Sequence, residues 1–250
     1  SAGISRPLKP YRLKSEKAGR IIENEDLVNF PNWLSLSFRI KGGAWFDLAG
    51  VEILAYQQKL DLKCGLLIRR VRFADSEQRI SNLQQRCVVH MSHRHLAAIE
   101  TTLTAENWAG MVEFRTALDG RVKNYNVERY QDLASEHLVS LMTEQSDPET
   151  LFLKVCTSQS RFEMAQAART RIFIDGMPQN PERKFIEQKG YVAQSFKLQL
   201  EQSATARIEK VVAIFTNRDE AISECGSEAY KELKRSPGFE RLLKTHSLAW

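Results

Sequence analysis

Residues 34–40 read Leu-Ser-Leu-Ser-Phe-Arg-Ile, a regular alternation of apolar and polar side chains. Successive side chains of a β-strand point to opposite faces, so the four apolar residues of this stretch share one face. The pattern predicts a strand with one buried and one polar side. The pair Gly42-Gly43 follows directly and predicts a hairpin turn.

The same two-residue period recurs along the chain from Trp33 to Phe215. Further apolar stripes lie within residues 112–118, 151–155, 172–174, 192–200 and 209–215. The stripe at 172–174 ends at Asp175-Gly176, a turn pair whose residues tolerate positive φ. No amphipathic helix separates these stripes, as a crossover between parallel strands would require. The sequence therefore predicts an all-β fold of large antiparallel sheets packed face to face.

One polar segment interrupts the strand pattern. Residues 122–150 contain Asn124, Tyr125, Asn126 and the pair Asp147-Pro148. We interpret this segment as a long excursion between strands, with a short strand around residues 137–142.

The period changes to that of a helix after residue 217. Apolar positions then recur every fourth residue, which is the spacing of one helical face: Ala221, Cys225, Ala229 and Leu233. Asp219 would lie in the first turn of this helix, where an acidic side chain favours the helix dipole. Ser236 and Pro237 predict a second helix, with the serine as N-cap and the proline at the first position.

The second predicted helix carries Phe239, Leu242, Leu243 and His246 and reaches Trp250 without a C-cap glycine. A helix that stops without such a signal is typical of an interrupted element. We therefore expect the sequence to continue into a segment that is absent here.

Charge and cysteine content narrow the possible partners and compartments. The 250-residue chain carries a net charge of +5, with acidic and basic residues mixed. Arg69, Arg70 and Arg72 form the densest basic stretch, which predicts a solvated sheet face and no nucleic-acid partner. No apolar run approaches the roughly 18 residues of a membrane span, so we expect no membrane association. Four widely spaced cysteines predict free thiols in a reducing compartment, and hence a cytoplasmic protein.

The densest titratable cluster is His90-Met91-Ser92-His93-Arg94-His95. In an extended strand, His93 and His95 would share a face, and such a pair can begin a metal or acid–base site. A third ligand is missing nearby, and Arg94 would oppose a cation. We therefore interpret these histidines as structural and expect neither a metal nor a cofactor.

A second cluster precedes the first predicted strand. Asparagine, carboxylate and tryptophan side chains occur together in it, a composition that suits sugar contacts because aromatic faces stack on pyranose rings and amides bridge hydroxyls. The residues are Asn24, Glu25, Asp26, Asn29, Asn32 and Trp33. A polar loop leading into a strand has a similar composition, so a structural role stays open. The site hypothesis requires an exposed Trp33, and a tryptophan buried in the core would refute it.

Several segments resemble glycoside hydrolase family 65, which contains maltose, trehalose and kojibiose phosphorylases and some hydrolases. The resemblance is carried by Glu23 to Leu34 (ENEDLVNFPNWL), Leu60 to Leu67 (LDLKCGLL), Arg94 to Ala98, Leu118 to Val122, Ala167 to Arg171, Lys210 to Asp219 and Pro237 to Phe239. These segments occur in order from about residue 12 to the end of the chain.

The resemblance implies a β-super-sandwich of the galactose mutarotase type over residues 1–216 and a helical linker over residues 217–250. In the family an (α/α)6 barrel follows and carries the catalytic glutamate and the phosphate-binding residues. We accordingly expect no catalytic residue in this chain. The longer protein would cleave an α-linked disaccharide, with inorganic phosphate or water as the attacking group. The chain would pack on the barrel, rim its pocket through the Asn24–Trp33 loop, and contribute to a homodimer.

Two other functions stay open at this point. A free-standing carbohydrate-binding module would need an exposed aromatic platform. A mutarotase-like sugar epimerase would need His93 or His95 in a cleft, about 3–6 Å from a carboxylate.

Overall fold

The computed structural model describes residues 11–15, 20–24, 28–123 and 136–250. The described residues form fifteen strands and two α-helices. The strands are β1 (Tyr11–Ser15), β2 (Arg20–Asn24), β3 (Leu36–Ile40), β4 (Glu52–Asp61), β5 (Leu66–Ala74), β6 (Ile80–Val89), β7 (Leu96–Ala105), β8 (Gly110–Asp119), β9 (Leu138–Asp147), β10 (Thr150–Thr157), β11 (Glu163–Ile174), β12 (Met177–Gln179), β13 (Arg183–Gln188), β14 (Tyr191–Leu200) and β15 (Thr205–Thr216). The helices are α1 (Cys225–Arg235) and α2 (Phe239–Ala249).

Two antiparallel sheets make up most of the molecule. The larger sheet has the order β4-β5-β6-β7-β15-β11-β10-β9, and β12 pairs with β11. The smaller sheet has the order β13-β14-β8-β3, and β1 pairs with β2 separately. One apolar cluster joins the two sheets, because Phe38 and Phe114 of the smaller sheet pack with Val71, Leu103 and Ile208 of the larger. The predicted all-β antiparallel sandwich with C-terminal helices is thus confirmed.

The alternation in the sequence determines which side chains enter this core. Val112, Phe114 and Leu118 of β8 are fully buried, whereas Glu113 and Arg115 between them are partly exposed. Phe114 lies opposite Phe38 of β3 and Phe196 of β14 in the strand register. Cross-strand apolar pairs of this kind stabilise a sheet and fix its register.

Both helices pack on the outer face of the larger sheet. Ala229, Leu233, Phe239 and Leu242 are buried there against small and branched side chains of β11 and β15: Ala165, Ala167, Val211 and Ala213. Arg169 of β11 donates hydrogen bonds to Leu233 O (3.0 Å) and Ser236 O (2.9 Å) at the end of α1. These bonds satisfy carbonyl groups that a helix leaves unpaired at its C-terminus.

The predicted start of each helix is wrong. The helix α1 begins at Cys225 with Glu224 as N-cap, whose carboxylate accepts from Ser227 N. Asp219 instead closes a turn, because its Oδ2 accepts from Thr216 N (2.7 Å). Ser236 is the C-cap of α1, and Gly238 is the N-cap of α2. The predicted buried face of α2 is largely confirmed, since Phe239, Leu242 and His246 are buried.

Two of the predicted strand connections also differ. Gly42-Gly43 makes a turn but no hairpin, because the strand paired with β3 is β8. The polar segment holds a ten-residue strand, β9, in place of the short one predicted. Asp175-Gly176 is confirmed as a hairpin turn, with φ of 49° and 82° and a pairing of Ile174 with Met177. The division at residue 216 into domain and linker stays a prediction.

Candidate functional site

The loop before β3 is held by hydrogen bonds within the loop and to the backbone of Asp119 and Lys123. Asn29 Nδ2 donates to Lys123 O (3.0 Å), and Asn32 Oδ1 accepts from Leu34 N (2.9 Å). The backbone of Asn32 exchanges two hydrogen bonds with Asp119 at the end of β8. Both asparagines therefore shape the loop, as asparagine commonly does in turns.

Trp33 is buried rather than exposed. Its side chain is 7% accessible and belongs to the cluster that contains Leu118, Leu151 and Val192. The alternation of residues 34–40 would place Trp33 on the polar face, but Leu34 is exposed and Trp33 is buried, because the backbone of Asn32 pairs with Asp119 and places the ring in the core. By the condition set above, the interpretation of Trp33 as a sugar-stacking rim residue is wrong.

A depression lies beside this loop and is named here the Asn29–Leu34 depression. It has a volume of about 570 Å³ and is lined by the loop residues, Val122, Lys123 and the β11 and β15 side chains Met164, Gln166 and Ile214. Gln166 Nε2 donates to Pro31 O (3.0 Å) and closes the floor. Asn29 and Asn32 lie at this depression, so their contact with a sugar stays a prediction.

The other three residues of the predicted site cannot be placed in the same way. Glu25 and Asp26 lie outside the described residues. Asn24 ends β2, opposite Tyr11 in the register of that pair. Among the predicted residues that the structure describes, Asn29, Asn32 and Trp33 lie together.

Sequence reasoning missed a buried cation next to the loop. Lys210 of β15 is fully buried, and its Nζ donates to Ala117 O (2.6 Å) and Ser35 O (3.2 Å). Burial lowers the pKa of Lys210 to about 7. The signal was present in the sequence, because Lys210 alternates in phase with the core residues Ile208 and Val212.

The predicted same-face pair of His93 and His95 is also wrong. Residues 90–95 form the turn between β6 and β7 rather than an extended strand. His95 packs its ring on Phe215 (3.8 Å between centroids), with Nδ1 at 2.9 Å from Ile214 O. The described residues contain no group of three or more His, Cys, Asp or Glu side chains placed to hold a metal ion.

Each of these two histidines has a carboxylate at about the distance required for an epimerase. His93 Nδ1 lies 3.8 Å from Glu232 Oε1, and His95 Nε2 lies 4.0 Å from Asp219 Oδ1. The side chain of His93 is largely exposed, at 59%. Neither imidazole lines the Asn29–Leu34 depression, so the cleft that acid–base work needs is not met there.

The turn instead contacts α2, a contact that the sequence did not predict. His90 Nε2 lies 2.9 Å from Thr245 Oγ1, and Met91 N donates to His246 Nδ1 (2.9 Å). About 155 residues separate the partners, so no local pattern could have joined them.

None of the helices in the described ranges is long and apolar enough to span a bilayer.

Comparison with known proteins places this fold among domains of longer proteins. A family model described as glycosyl hydrolase family 65, N-terminal domain, matches residues 3–250. An uncharacterised glycosyl hydrolase of Mycobacterium tuberculosis is 36% identical over 239 residues, which is 96% of this chain and 18% of the relative. A kojibiose phosphorylase of Halothermothrix orenii is 24% identical over 197 residues, or 79% of this chain and 24% of the relative. An alpha,alpha-trehalose phosphorylase of Thermoanaerobacter brockii is 26% identical over 208 residues, or 81% and 26%.

A solved structure shares the fold across nearly the whole chain. The protein named "Putative kojibiose phosphorylase from human microbiome" superposes with a TM-score of 0.78 at 16% identity, over 98% of this chain and 30% of that one. At this identity the likeness concerns the fold alone. The chain spans between 18% and 26% of the length of the three relatives above.

Proposed function

The chain belongs to glycosyl hydrolase family 65, as its N-terminal domain, and on this basis we propose that it is the non-catalytic accessory domain of a longer disaccharide-cleaving enzyme. The catalytic domain would lie elsewhere in the longer protein and act on an α-linked disaccharide such as maltose, trehalose or kojibiose. Inorganic phosphate would be the co-substrate if the enzyme is a phosphorylase, as the named relatives of Halothermothrix and Thermoanaerobacter are. The parent would be a homodimer.

Exposed apolar side chains of β4, the β4–β5 turn and the end of α2 carry this proposal. Leu62 and Leu248 are 71% and 80% exposed, and Leu60 and Trp250 are more than half exposed. The indole Nε1 of Trp250 donates to Leu62 O (2.8 Å), so Trp250 lies against the β4–β5 turn. Exposed apolar side chains on two elements that touch each other are typical of a surface that another protein segment covers. We name these four residues the exit patch.

The two helices can hold a neighbouring domain in one position because they are themselves fixed on the sandwich. Their apolar faces are buried against the larger sheet, and Arg169 holds the end of α1. At the start of α2, Phe239 N donates to Glu209 Oε2 (3.3 Å), and the ring of Phe239 lies under Arg86. A domain joined to the sandwich through α2 would therefore have a defined position, which supports packing against the exit patch.

The two rival functions find less support. The aromatic residue of the predicted sugar site, Trp33, is buried, which removes the platform that this loop would offer as a binding module. For the epimerase, both His93 and His95 have a carboxylate near 4 Å, but neither imidazole lines the Asn29–Leu34 depression.

Hydroxyl-radical footprinting tests the proposed packing. The labelling of Leu62, Leu248 and Trp250 is compared between the 250-residue chain and the longer protein that contains it. We expect labelling of these side chains to fall several-fold in the longer protein, while Met177, which is 67% exposed on β12, is labelled equally in both. Equal labelling of the exit patch in the two proteins would refute the proposed packing.

A further inference from the structure

The C-terminal half of α2 is clamped between two turns of the larger sheet. One is the β4–β5 turn, where a Cβ added to Gly65 would lie only 2.7 Å from His246 Nε2 and 2.8 Å from the Trp250 ring. The other is the β6–β7 turn, which carries His90. Two buried imidazoles, of His90 and His246, lie in this contact, with exposed fractions of 2% and 1%.

His246 accepts a backbone hydrogen bond and must be neutral to do so. Met91 N donates to His246 Nδ1 at 2.9 Å. An imidazole nitrogen accepts only when it carries no proton, so the proton of His246 is on Nε2. This bond joins α2 directly to the β6–β7 turn.

His90 uses both ring nitrogens in the same neutral form. Its Nδ1 accepts from His93 N (2.9 Å) and from Ser92 N (3.2 Å). Its Nε2 donates to Thr245 Oγ1 (2.9 Å), because the hydroxyl of Thr245 already donates to carbonyl oxygens of the preceding helical turn. His90 thereby shapes the turn and binds α2 at once.

We propose that His90 and His246 form a proton-sensitive latch, which holds α2 on the sandwich while both imidazoles are neutral and releases it when they are protonated. An imidazolium has two N–H donors and no acceptor. Protonation would place an Nδ1–H against the backbone N–H groups of Met91 or of Ser92 and His93, and those donors would lose their acceptor. This latch is a property of the 250-residue chain, whatever segment follows it.

Burial and the neighbouring imidazoles shift the pKa of His90 in the same direction. Burial lowers the pKa of His90, and the neighbouring imidazoles of His93 and His246 lower it further. On the side of α1, Glu232 Oε1 lies 3.8 Å from His93 Nδ1. Since the folded-state pKa of His90 lies below its ordinary value of 6.5, the docked helix is most stable above pH 6.5 and loses stability as the pH falls below it.

Amide hydrogen exchange of the 250-residue chain at pH 7.5 and pH 5.0 tests the latch directly. After correction for intrinsic exchange rates, we expect the protection of residues 240–249 to fall by about tenfold at pH 5.0, the order of effect of losing a buried hydrogen bond. The protection of residues 226–235 in α1 should change much less. An equal fall in both helices, or none in α2, would overturn the proposal.

A non-titrating variant separates the latch from a general effect of acid. In the double variant His90→Asn/His246→Asn, each amide oxygen can accept near the position of Nδ1 but does not take up a proton. We expect α2 of this variant to keep the same protection at both pH values. The comparison variant His93→Asn should keep the loss of protection at pH 5.0, because it removes only a neighbouring imidazole that lowers the pKa of His90. Loss of the pH response in His93→Asn alone would contradict the latch. If the double variant does not fold at pH 7.5, the comparison of α1 with α2 in the original chain decides the question.

Discussion

Replacing Lys210 with methionine removes a buried amine from between the two sheets and should change how stability depends on pH. Lys210 Nζ donates to two backbone carbonyl oxygens, and the side chain has no accessible surface. Burial alone lowers the pKa of this amine from 10.5 to about 7. The amine is therefore about half neutral in the folded protein at pH 7 but charged in the unfolded chain.

The size of the effect follows from the difference in bound protons. Between pH 7 and pH 10.5 the unfolded chain binds more protons at this residue than the folded protein, so the free energy of unfolding rises with pH. The slope approaches about 1.4 kcal/mol per pH unit once the folded amine is neutral. Integrated from pH 7 to pH 9, with a folded pKa of about 7, Lys210 contributes a gain of about 2 kcal/mol.

Urea unfolding at pH 7, 8 and 9 measures this contribution. Between pH 7 and pH 9 the free energy of unfolding of the original chain should rise by ~2 kcal/mol more than that of Lys210→Met. The exposed Lys197 of β14 supplies the control, and Lys197→Met should run parallel to the original chain. If Lys210→Met also runs parallel, the amine is not desolvated in the folded state and the reasoning is refuted.

Three further perturbations test other parts of the structure. Burial raises the pKa of Cys87 to about 11. Iodoacetamide at pH 8.5 should therefore alkylate Cys87 about two orders of magnitude more slowly in the folded chain than in urea, as measured by mass spectrometry. Equal rates would show an accessible thiolate. In thermal unfolding, Gly65→Ala should destabilise the chain by about 2–4 kcal/mol, because φ is positive there and the new Cβ would clash with His246. Gly42→Ala should cost only about 1–2 kcal/mol, because φ is positive but no atom lies within 4 Å. Burial raises the pKa of Glu224, but hydrogen bonds from Lys154, Gly226 N and Ser227 N outweigh it and lower the pKa to about 2. Glu224→Gln should therefore lower the free energy of unfolding by about 1 kcal/mol at pH 7. This difference in free energy from the original chain should shrink as the pH falls from 4.5 to 2. A constant difference in urea unfolding across that range would contradict the role of the Glu224 carboxylate.

The sequence predicted the class of fold because strand periodicity is a local property. The alternation in residues 112–118 correctly identified Val112, Phe114, Thr116 and Leu118 as buried. The turn at Asp175-Gly176 was predictable for the same reason, since positive φ at two adjacent residues selects a narrow set of side chains.

Pairings between distant segments could not be predicted in this way. The strand next to β3 is β8, more than 70 residues later, so Gly42-Gly43 was wrongly interpreted as a hairpin. Helix α1 begins at a glutamate N-cap, which lies outside the Ser, Thr, Asp and Asn set that marks most helix starts.

The candidate site shows the same limit. Trp33 lies in a segment with the composition of a sugar-binding loop. The end of β8, however, pairs with Asn32 and places the Trp33 ring in the core. The contact of His90 with Thr245 and of Met91 with His246 arises only once α2 has packed on the larger sheet. Such contacts follow from tertiary packing and leave no periodic trace in the sequence.

Glucose 1-phosphate release by the purified 250-residue chain tests the central claim most directly. The chain is incubated with inorganic phosphate and, in turn, maltose, trehalose and kojibiose. An accessory domain without a catalytic residue should release no glucose 1-phosphate above the protein-free blank with any of the three. Turnover that rises with the concentration of the chain would contradict the claim and would place an active site within these residues.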